Sequence, residues 1–194
     1  MKNILNGEDD FVGSYVDLGL PSGTQWSASN EVNVNAVHDE FDFFTFNEAI
    51  SKFGNRLPSN AQWAELKAEC SWLWNGNGYK VTGSNGNSIL LPAAGFRRCD
   101  DGYYHTSHLF HGLCSINLVG HDGCYWSSTP YEDRGSWVFY FQSCDHCDVN
   151  PFKYHEYYGF SVRLVKKNYR ARRAAAIKKH ENGLKDSRIF LSIS

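Results

Sequence analysis

Residues 137–142, which read Trp-Val-Phe-Tyr-Phe-Gln, decide the fold class of this chain. Successive side chains of a β-strand point to opposite faces, so a strand here has one wholly aromatic face and one mixed face. The aromatic face carries Trp137, Phe139 and Phe141, and the mixed face carries Val138, Tyr140 and Gln142. We expect the aromatic face to pack in the core, because burying large rings removes much apolar surface from water.

The sequence around this strand predicts further strands joined by long irregular segments. Residues 126–129 begin the final set of strands, and residues 157–164 close it. Between these strands we expect no regular element over residues 143–156. Residues 97–123 contain several glycines and are predicted to be loop-like. Four histidines in that segment are expected to be solvated or hydrogen-bonded rather than metal ligands: His105, His108, His111 and His121.

An N-terminal strand and a hairpin are predicted upstream. Residues 14–26 alternate and then turn at Pro-Ser-Gly, after which Trp26 re-enters the core. Residues 79–82 and 88–91 have strand character, and residues 83–87 between them read Gly-Ser-Asn-Gly-Asn, which is typical of a turn. These two strands are therefore predicted to form a hairpin.

Two short helices complete the predicted body. The first covers residues 45–53, and the second begins at Ser59. The Ser59 hydroxyl can cap the amide of Gln62 while the Gln62 side chain reaches back, which is the spacing of a capping box. Strands that dominate, together with two short helices and long irregular loops, indicate an α+β fold with mixed or antiparallel strands.

The charge distribution divides the chain. Residues 166–194 hold nine Lys or Arg against two acidic residues, a net charge of +7, whereas the rest of the chain carries −9. We therefore expect a short lead over residues 1–13, a folded domain over residues 14–165 and a basic tail over residues 166–194 that is helical at residues 168–181. Such a tail fits contact with nucleic acid, or docking on the acidic body or on another subunit. Because Tyr169 is the lone aromatic residue in the predicted helix of this tail, residues 168–181, we do not expect a nucleic-acid partner.

The cysteines and the N-terminus limit the other classes of function. No stretch is long and apolar enough to span a membrane, and no secretory signal precedes the domain, which predicts a cytoplasmic or virion-associated protein with reduced thiols. Cys144 and Cys147 have the spacing of a metal or redox pair, and His121, Cys124 and His155 could complete a site. One such pair is a weak signal, so we expect no metal and no other cofactor.

Five blocks of sequence, in order, resemble a known pattern. They are residues 15–26, 56–63, 78–96, 123–129 and 158–163, the last reading Tyr-Gly-Phe-Ser-Val-Arg. Together they resemble the Fibrobacter succinogenes major paralogous domain family, which is common in Bacteroidetes, and residues 56–63 also resemble a helix of formylglycine-generating enzymes. The resemblance implies a C-type-lectin-like fold of the formylglycine-generating-enzyme type.

A subset of such proteins are variable proteins of diversity-generating retroelements, including phage receptor-binding proteins. In these, adenine-directed mutagenesis rewrites a C-terminal segment, and the Tyr, His, Asp, Ser and Cys content of residues 131–158 is consistent with that process. The implied partner is a protein or glycan on a cell surface, and a homotrimer would suit a phage fibre tip. Rings and small polar groups on a rigid scaffold also suit recognition. The predicted ligand contacts are Tyr125, Tyr131, Asp133, Tyr140, Ser143, Asp145, His146, Asp148, Tyr154, His155 and Tyr157.

Three alternative functions stay open beside this one. A copper-dependent formylglycine-generating oxidoreductase needs a reactive cysteine pair, and the context of Cys144 and Cys147 does not match the active-site motif of that family. A calcium-dependent lectin would carry a Glu-Pro-Asn or Gln-Pro-Asp motif followed by Trp-Asn-Asp, which the chain lacks. The third is a structural or nucleic-acid role of the tail. We assign no catalytic residue and predict that the protein is not an enzyme.

Overall fold

The computed structural model describes residues 14–34, 42–99, 114–132, 135–143, 147–153 and 158–167. Over these ranges the chain is a mixed α+β structure with mostly antiparallel strands and two short helices. In chain order the elements are β1 (Tyr15–Asp17), β2 (Thr24–Ser27), α1 (Phe46–Phe53), a 3-10 turn (Gly54–Arg56), α2 (Asn60–Glu69), β3 (Ser71–Trp74), β4 (Gly78–Thr82), β5 (Ser88–Pro92), β6 (Phe96–Cys99), β7 (Cys114–Asn117), β8 (Asp122–Tyr131), β9 (Gly135–Gln142), β10 (Cys147–Lys153), β11 (Tyr158–Gly159) and β12 (Val165–Lys167).

The strands of the described ranges form three-stranded sheets. Their orders are β1-β2-β12, β3-β4-β5, β11-β6-β7 and β10-β9-β8, and every pairing between named strands is antiparallel. Two parallel bridges, Gly95 with Gly123 and Tyr125 with Ser161, connect β8 to neighbouring segments. β8 is thus bonded both to β9 and to the segments that precede β6 and follow β11.

Both helices begin where the local sequence provides a cap. Ser59 accepts the N–H of Gln62 at 3.3 Å, and the Gln62 side chain accepts the N–H of Ser59 at 2.9 Å, so the predicted capping box is confirmed. The same reciprocal arrangement joins Thr45 and Glu48 at the start of α1. The predicted hairpin is also confirmed, since β4 and β5 pair from Gly78 with Pro92 to Thr82 with Ser88.

The core lies on both faces of the β8–β9 hairpin. Phe139 and Phe141 are fully buried on one face, where Phe139 stacks on Trp63 of α2 with ring centroids 4.5 Å apart and an angle of 4°. Val138 of the opposite face is buried with Trp126 in a second cluster. The prediction that the aromatic face of β9 is buried is confirmed for Phe139 and Phe141, whereas Trp137 is half-buried. Because both faces are covered, the centre of the hairpin has no side open to solvent.

The two ends of the folded body meet in one sheet. β12 pairs with β2, with Val165 opposite Trp26 and Lys167 opposite Thr24. The first two residues of the basic segment are therefore strand residues of the body, with exposed side chains. The predicted lead over residues 1–13 and the predicted tail helix over residues 168–181 lie outside the described residues.

Two predictions of irregular structure are wrong. Residues 97–123 contain most of β6, all of β7 and the start of β8, and residues 143–156 contain β10. Within the described residues, β10 is an edge strand that pairs with β9, from Cys147 opposite Phe141 to Lys153 opposite Gly135. An edge strand forms backbone hydrogen bonds to a neighbour on one side only, so it tolerates Pro151 and a polar composition. These features made the strand difficult to predict from the sequence.

Neither helix of the described ranges is long and apolar enough to cross a membrane.

Candidate functional site

The turn between β7 and β8 is fixed by backbone hydrogen bonds. The N–H groups of His121 and Asp122 both donate to the Leu118 carbonyl, at 3.1 and 2.9 Å. The N–H of Ser143, just after β9, donates to the His121 carbonyl at 2.8 Å. These hydrogen bonds join the turn to the end of β9. We call this end of the β8–β9–β10 sheet, where β8 begins and β9 ends, the first end.

Apolar side chains are exposed on this turn. Leu118 is 50% exposed and Val119 is 44% exposed, and the neighbouring His121 is also exposed. Leu118 has a φ of 59°, a left-handed conformation that costs about 1–3 kcal/mol for a residue with a Cβ and persists where the surroundings impose it. Strained backbone of this kind clusters at ligand-binding positions. We call Leu118, Val119, His121, Tyr140 and Ser143 the turn surface.

Tyr140 joins the turn surface through a short hydrogen bond. Its hydroxyl donates to Asp122 Oδ2 at 2.6 Å, while Asp122 is buried and Tyr140 is half-buried. Burial and the adjacent Asp122 carboxylate raise the pKa of Tyr140 well above 10. The phenol therefore stays protonated, and this hydrogen bond holds the ring in one place.

The cysteine beside this pair is not reactive. Cys124 of β8 is 5% exposed, and burial followed by the charge of Asp122 raises the pKa of its thiol far above 9. A thiol attacks as its thiolate, so Cys124 is poorly suited to act as a nucleophile at neutral pH. Among the residues that the structure describes, no group of three or more His, Cys, Asp or Glu could hold a metal ion. The side chains of Cys144, Cys147 and His155 lie outside the described residues.

The opposite end of the same sheet carries the β8–β9 turn. Tyr131 lies edge-on against Trp137, with ring centroids 5.7 Å apart, and both side chains are half-buried. Glu132 has a φ of 51° as the chain leaves β8. β9 runs between the two ends from Gly135 to Gln142, which at the usual rise of a strand separates them by roughly 23 Å.

The predicted ligand contacts divide between these ends. Tyr140 and Ser143 lie at the first end, where Asp148 of β10 is the backbone partner of Tyr140, and Tyr131 lies at the second end. The remaining predicted contacts other than Tyr125 lie outside the described residues: Asp133, Asp145, His146, Tyr154, His155 and Tyr157. Asp145 and His146 belong to the connection from Ser143 to Cys147.

Tyr125 is a core residue, which corrects its prediction as a ligand contact. Its side chain is 0% exposed and packs near Trp63, with ring centroids 5.6 Å apart. The hydroxyl donates to the Pro92 carbonyl at 2.9 Å and accepts from Asn30 Nδ2 at 3.4 Å. β8 is covered on both faces, so a tyrosine there offers no atom to a ligand. Residue type alone gave no sign of this.

Sequence reasoning missed Leu118, Val119 and the buried Arg163. The first two are consecutive apolar residues in a polar, glycine-containing stretch, and this signal was available in the sequence. Arg163 is 0% exposed, and its guanidinium donates to the carbonyls of Ser27, at 2.9 Å, and Leu90. Burial lowers its pKa. It joins the closing segment of the chain to β2 and β5, which a linear pattern does not indicate.

A family model of the kind described as a domain of unknown function, DUF8237, matches residues 68–165. The match extends from the end of α2 to the start of β12 and includes both ends of the β8–β9–β10 sheet. No curated protein and no solved structure matches the chain. Since the model covers half of the sequence, the chain belongs to the DUF8237 family.

Proposed function

We propose that this chain is a non-catalytic ligand-binding module with a C-type-lectin-like fold, and that its ligand surface is built on the ends of the β8–β9–β10 sheet. The resemblance of residues 15–26, 56–63, 78–96, 123–129 and 158–163 to proteins of that fold supports the assignment. The mixed α+β architecture is compatible with it.

The observation that carries the proposal is the turn surface. It combines two exposed apolar side chains, an exposed histidine and a tyrosine ring fixed by its bond to Asp122. Rings of limited freedom lose little conformational entropy on binding, and exposed apolar groups supply contact area. The chain leaves this end at Ser143 into a connection that contains Asp145 and His146. A rigid base with polar connections suits recognition of a surface.

The proposal that the module is non-catalytic has its own support. Oxidation of the formylglycine-generating kind needs a reactive thiol pair, and Cys124, near Asp122, is buried with a strongly raised pKa. The Tyr140 hydroxyl is held protonated by Asp122 and is not activated as a base. The Tyr140 phenol and the Cys124 thiol therefore have structural roles.

A matched pair of double variants tests the ligand surface. Leu118→Ser with Val119→Ser removes the apolar pair, while Leu73→Ser with Leu90→Ser removes two exposed leucines, 67% and 40% exposed, from the β3–β4–β5 sheet. The fluorescently labelled full chain is presented to a printed glycan array and to intact cells of a panel of Bacteroidetes strains. We expect the first pair to lose roughly tenfold or more in affinity for any positive probe, and the second pair to bind like the parent.

Two results would contradict the proposal. One is equal loss of binding in both double variants, because the turn surface would then have no special role. The other is binding to a DNA duplex probe in place of cells and glycans, with an affinity that falls steeply as salt rises. That result would favour the basic segment as the functional element.

Retroelement diversification is a separate part of the proposal, and the DNA around the coding sequence tests it. A reverse transcriptase gene and a near-repeat of the codons for residues 131–158 that differs only at adenines would support it. A locus without a near-repeat would refute it.

A further inference from the structure

Two cysteines are brought together by the pairing of β6 and β7. The register places Cys99, the last residue of β6, opposite Cys114, the first residue of β7. Directly opposed residues of an antiparallel pair have Cα atoms about 4.5–5.5 Å apart. This separation falls within the range of about 4.4–6.8 Å that a disulfide requires.

The register that opposes these cysteines is held from several sides. β6 is the central strand of its sheet, with Arg97 and Arg98 paired to Gly159 and Tyr158 of β11 as well as to β7. The ring of Phe96 lies 5.9 Å from that of Tyr158. Just before β6, the N–H of Gly95 donates to the Asp122 carbonyl at 2.7 Å. A slip by one residue would break these contacts together, so the pairing of Cys99 with Cys114 is strongly specified.

We propose that Cys99 and Cys114 are a redox-active pair that forms a disulfide across β6 and β7. A low-molecular-weight disulfide such as oxidised glutathione is the oxidant. One protein thiolate attacks it and releases one glutathione thiolate, and the second protein thiolate then displaces the other. One S–S bond forms as one breaks, and the two protein protons end on two glutathione thiols.

Cys70 and Cys124, whose side chains the structure describes, are poor competitors for this reaction. Cys124 is buried on β8, and its raised pKa leaves little thiolate. Cys70 is half-buried, and burial, with smaller effects of Glu69 and Glu65, raises the pKa of its thiol to about 11. Cys144 and Cys147 are close in the chain and are the competing pair that an experiment must separate from Cys99 and Cys114.

This inference does not depend on the proposed function. It does connect to the same region, because β6 pairs with β11, and β11 directly follows residues 143–157 in the chain. Oxidation would fix the β6–β7 end of this sheet whether or not the module binds a ligand.

Mass spectrometry of the full-length protein tests the pair. The chain is equilibrated in buffers of graded oxidised to reduced glutathione, in native buffer and in urea, and free thiols are then blocked with N-ethylmaleimide. Trypsin leaves Cys99, Cys114 and Cys124 in one peptide, residues 99–134, and chymotrypsin cleavage after Phe110 separates the first two. The linked product is then a two-chain peptide that gains two alkylation sites after reduction.

We expect this linked peptide in native protein at a ratio of oxidised to reduced glutathione at least tenfold lower than in urea, because folding holds the two residues opposite each other. Cys99→Ser and Cys114→Ser should each abolish it, and Cys70→Ser should leave it unchanged. Circular dichroism checks that each variant is folded. The inference is overturned if native Cys99 and Cys114 stay fully alkylated across the series, if Cys144 and Cys147 form the one linked pair, or if urea does not raise the required ratio.

Discussion

Replacing Tyr125 by Phe removes one hydroxyl from the centre of the core and leaves the ring in place. The hydroxyl donates to the Pro92 carbonyl at 2.9 Å and accepts from Asn30 at 3.4 Å, and the charge of the buried Arg163 acts on it. The substitution leaves the Pro92 carbonyl and the Asn30 amide with one partner fewer inside the protein. It therefore measures how much this buried polar junction contributes to stability.

The expected cost follows from those partners. A buried acceptor or donor left without its bond costs about 1–3 kcal/mol. Asn30 is only half-buried and its bond is long, so most of the loss comes from the Pro92 carbonyl. We expect Tyr125→Phe to lower the free energy of unfolding by about 2 kcal/mol, which for a domain of this size lowers the Tm by about 4–8 °C.

The same residue predicts an alkaline dependence that the variant lacks. Burial, partly offset by Arg163, raises the pKa of Tyr125 from 10 to about 12 in the folded state. Below pH 10 the phenol is protonated in both states and adds no pH dependence. Between pH 10 and about 12 the unfolded chain loses the proton first, so stability falls by about 1 kcal/mol per pH unit. The advantage of the parent over Tyr125→Phe should therefore shrink by about 1 kcal/mol between pH 9 and pH 11.

Urea unfolding followed by tryptophan fluorescence at pH 7, 9, 10 and 11 measures both effects. Tyr140→Phe is the comparison for binding, because it removes a hydroxyl at the turn surface. The folded fraction of Tyr125→Phe should bind every positive probe with the affinity of the parent. A stability difference between parent and Tyr125→Phe that is the same at pH 9 and pH 11, or a variant as stable as the parent at pH 7, would refute the assignment of Tyr125 to a buried hydrogen-bonded junction.

Three further substitutions test the framework. Trp63→Ala should lower the free energy of unfolding by about 3–5 kcal/mol in urea melts, because it empties the space stacked against Phe139, and a loss under 1 kcal/mol would contradict that packing. Gly123→Ala should cost about 1–3 kcal/mol by the same assay, since a Cβ there meets the ring of Phe141, and an unchanged stability would contradict that close approach. Ser59→Ala should lower the Tm by about 2–4 °C through loss of the cap of α2, and an unchanged Tm would show that the cap is dispensable.

Local chemistry made part of the fold predictable. The capping box at Ser59 and the turn between β4 and β5 each depend on a few adjacent residues, so a linear pattern contains the whole signal. The alternation of residues 137–142 gave β9 for the same reason.

Non-local pairing explains what the sequence did not reveal. β10 forms because its backbone pairs with that of β9, and nothing in residues 147–153 alone indicates that partner. Tyr125 has the residue type of a ligand contact, but its neighbours Cys124 and Trp126 pack into the second cluster while it packs into the first. Burial on both faces is a property of the layers around β8 and not of the strand itself.

If the proposed function is correct, the layered core also limits what kind of ligand the chain can bind. The centre of the β8–β9 hairpin is occupied on both faces, and large-to-small changes there cost several kcal/mol, so exchangeable residues are confined to its ends. Those ends are roughly 23 Å apart along β9. A partner that covers about 800 Å² of this protein can reach both, whereas a short glycan can touch one. A protein ligand should therefore be weakened by substitutions at Tyr131 and at the turn surface alike. A glycan should be sensitive to one end alone, and measuring both variant sets against one positive probe distinguishes the two classes.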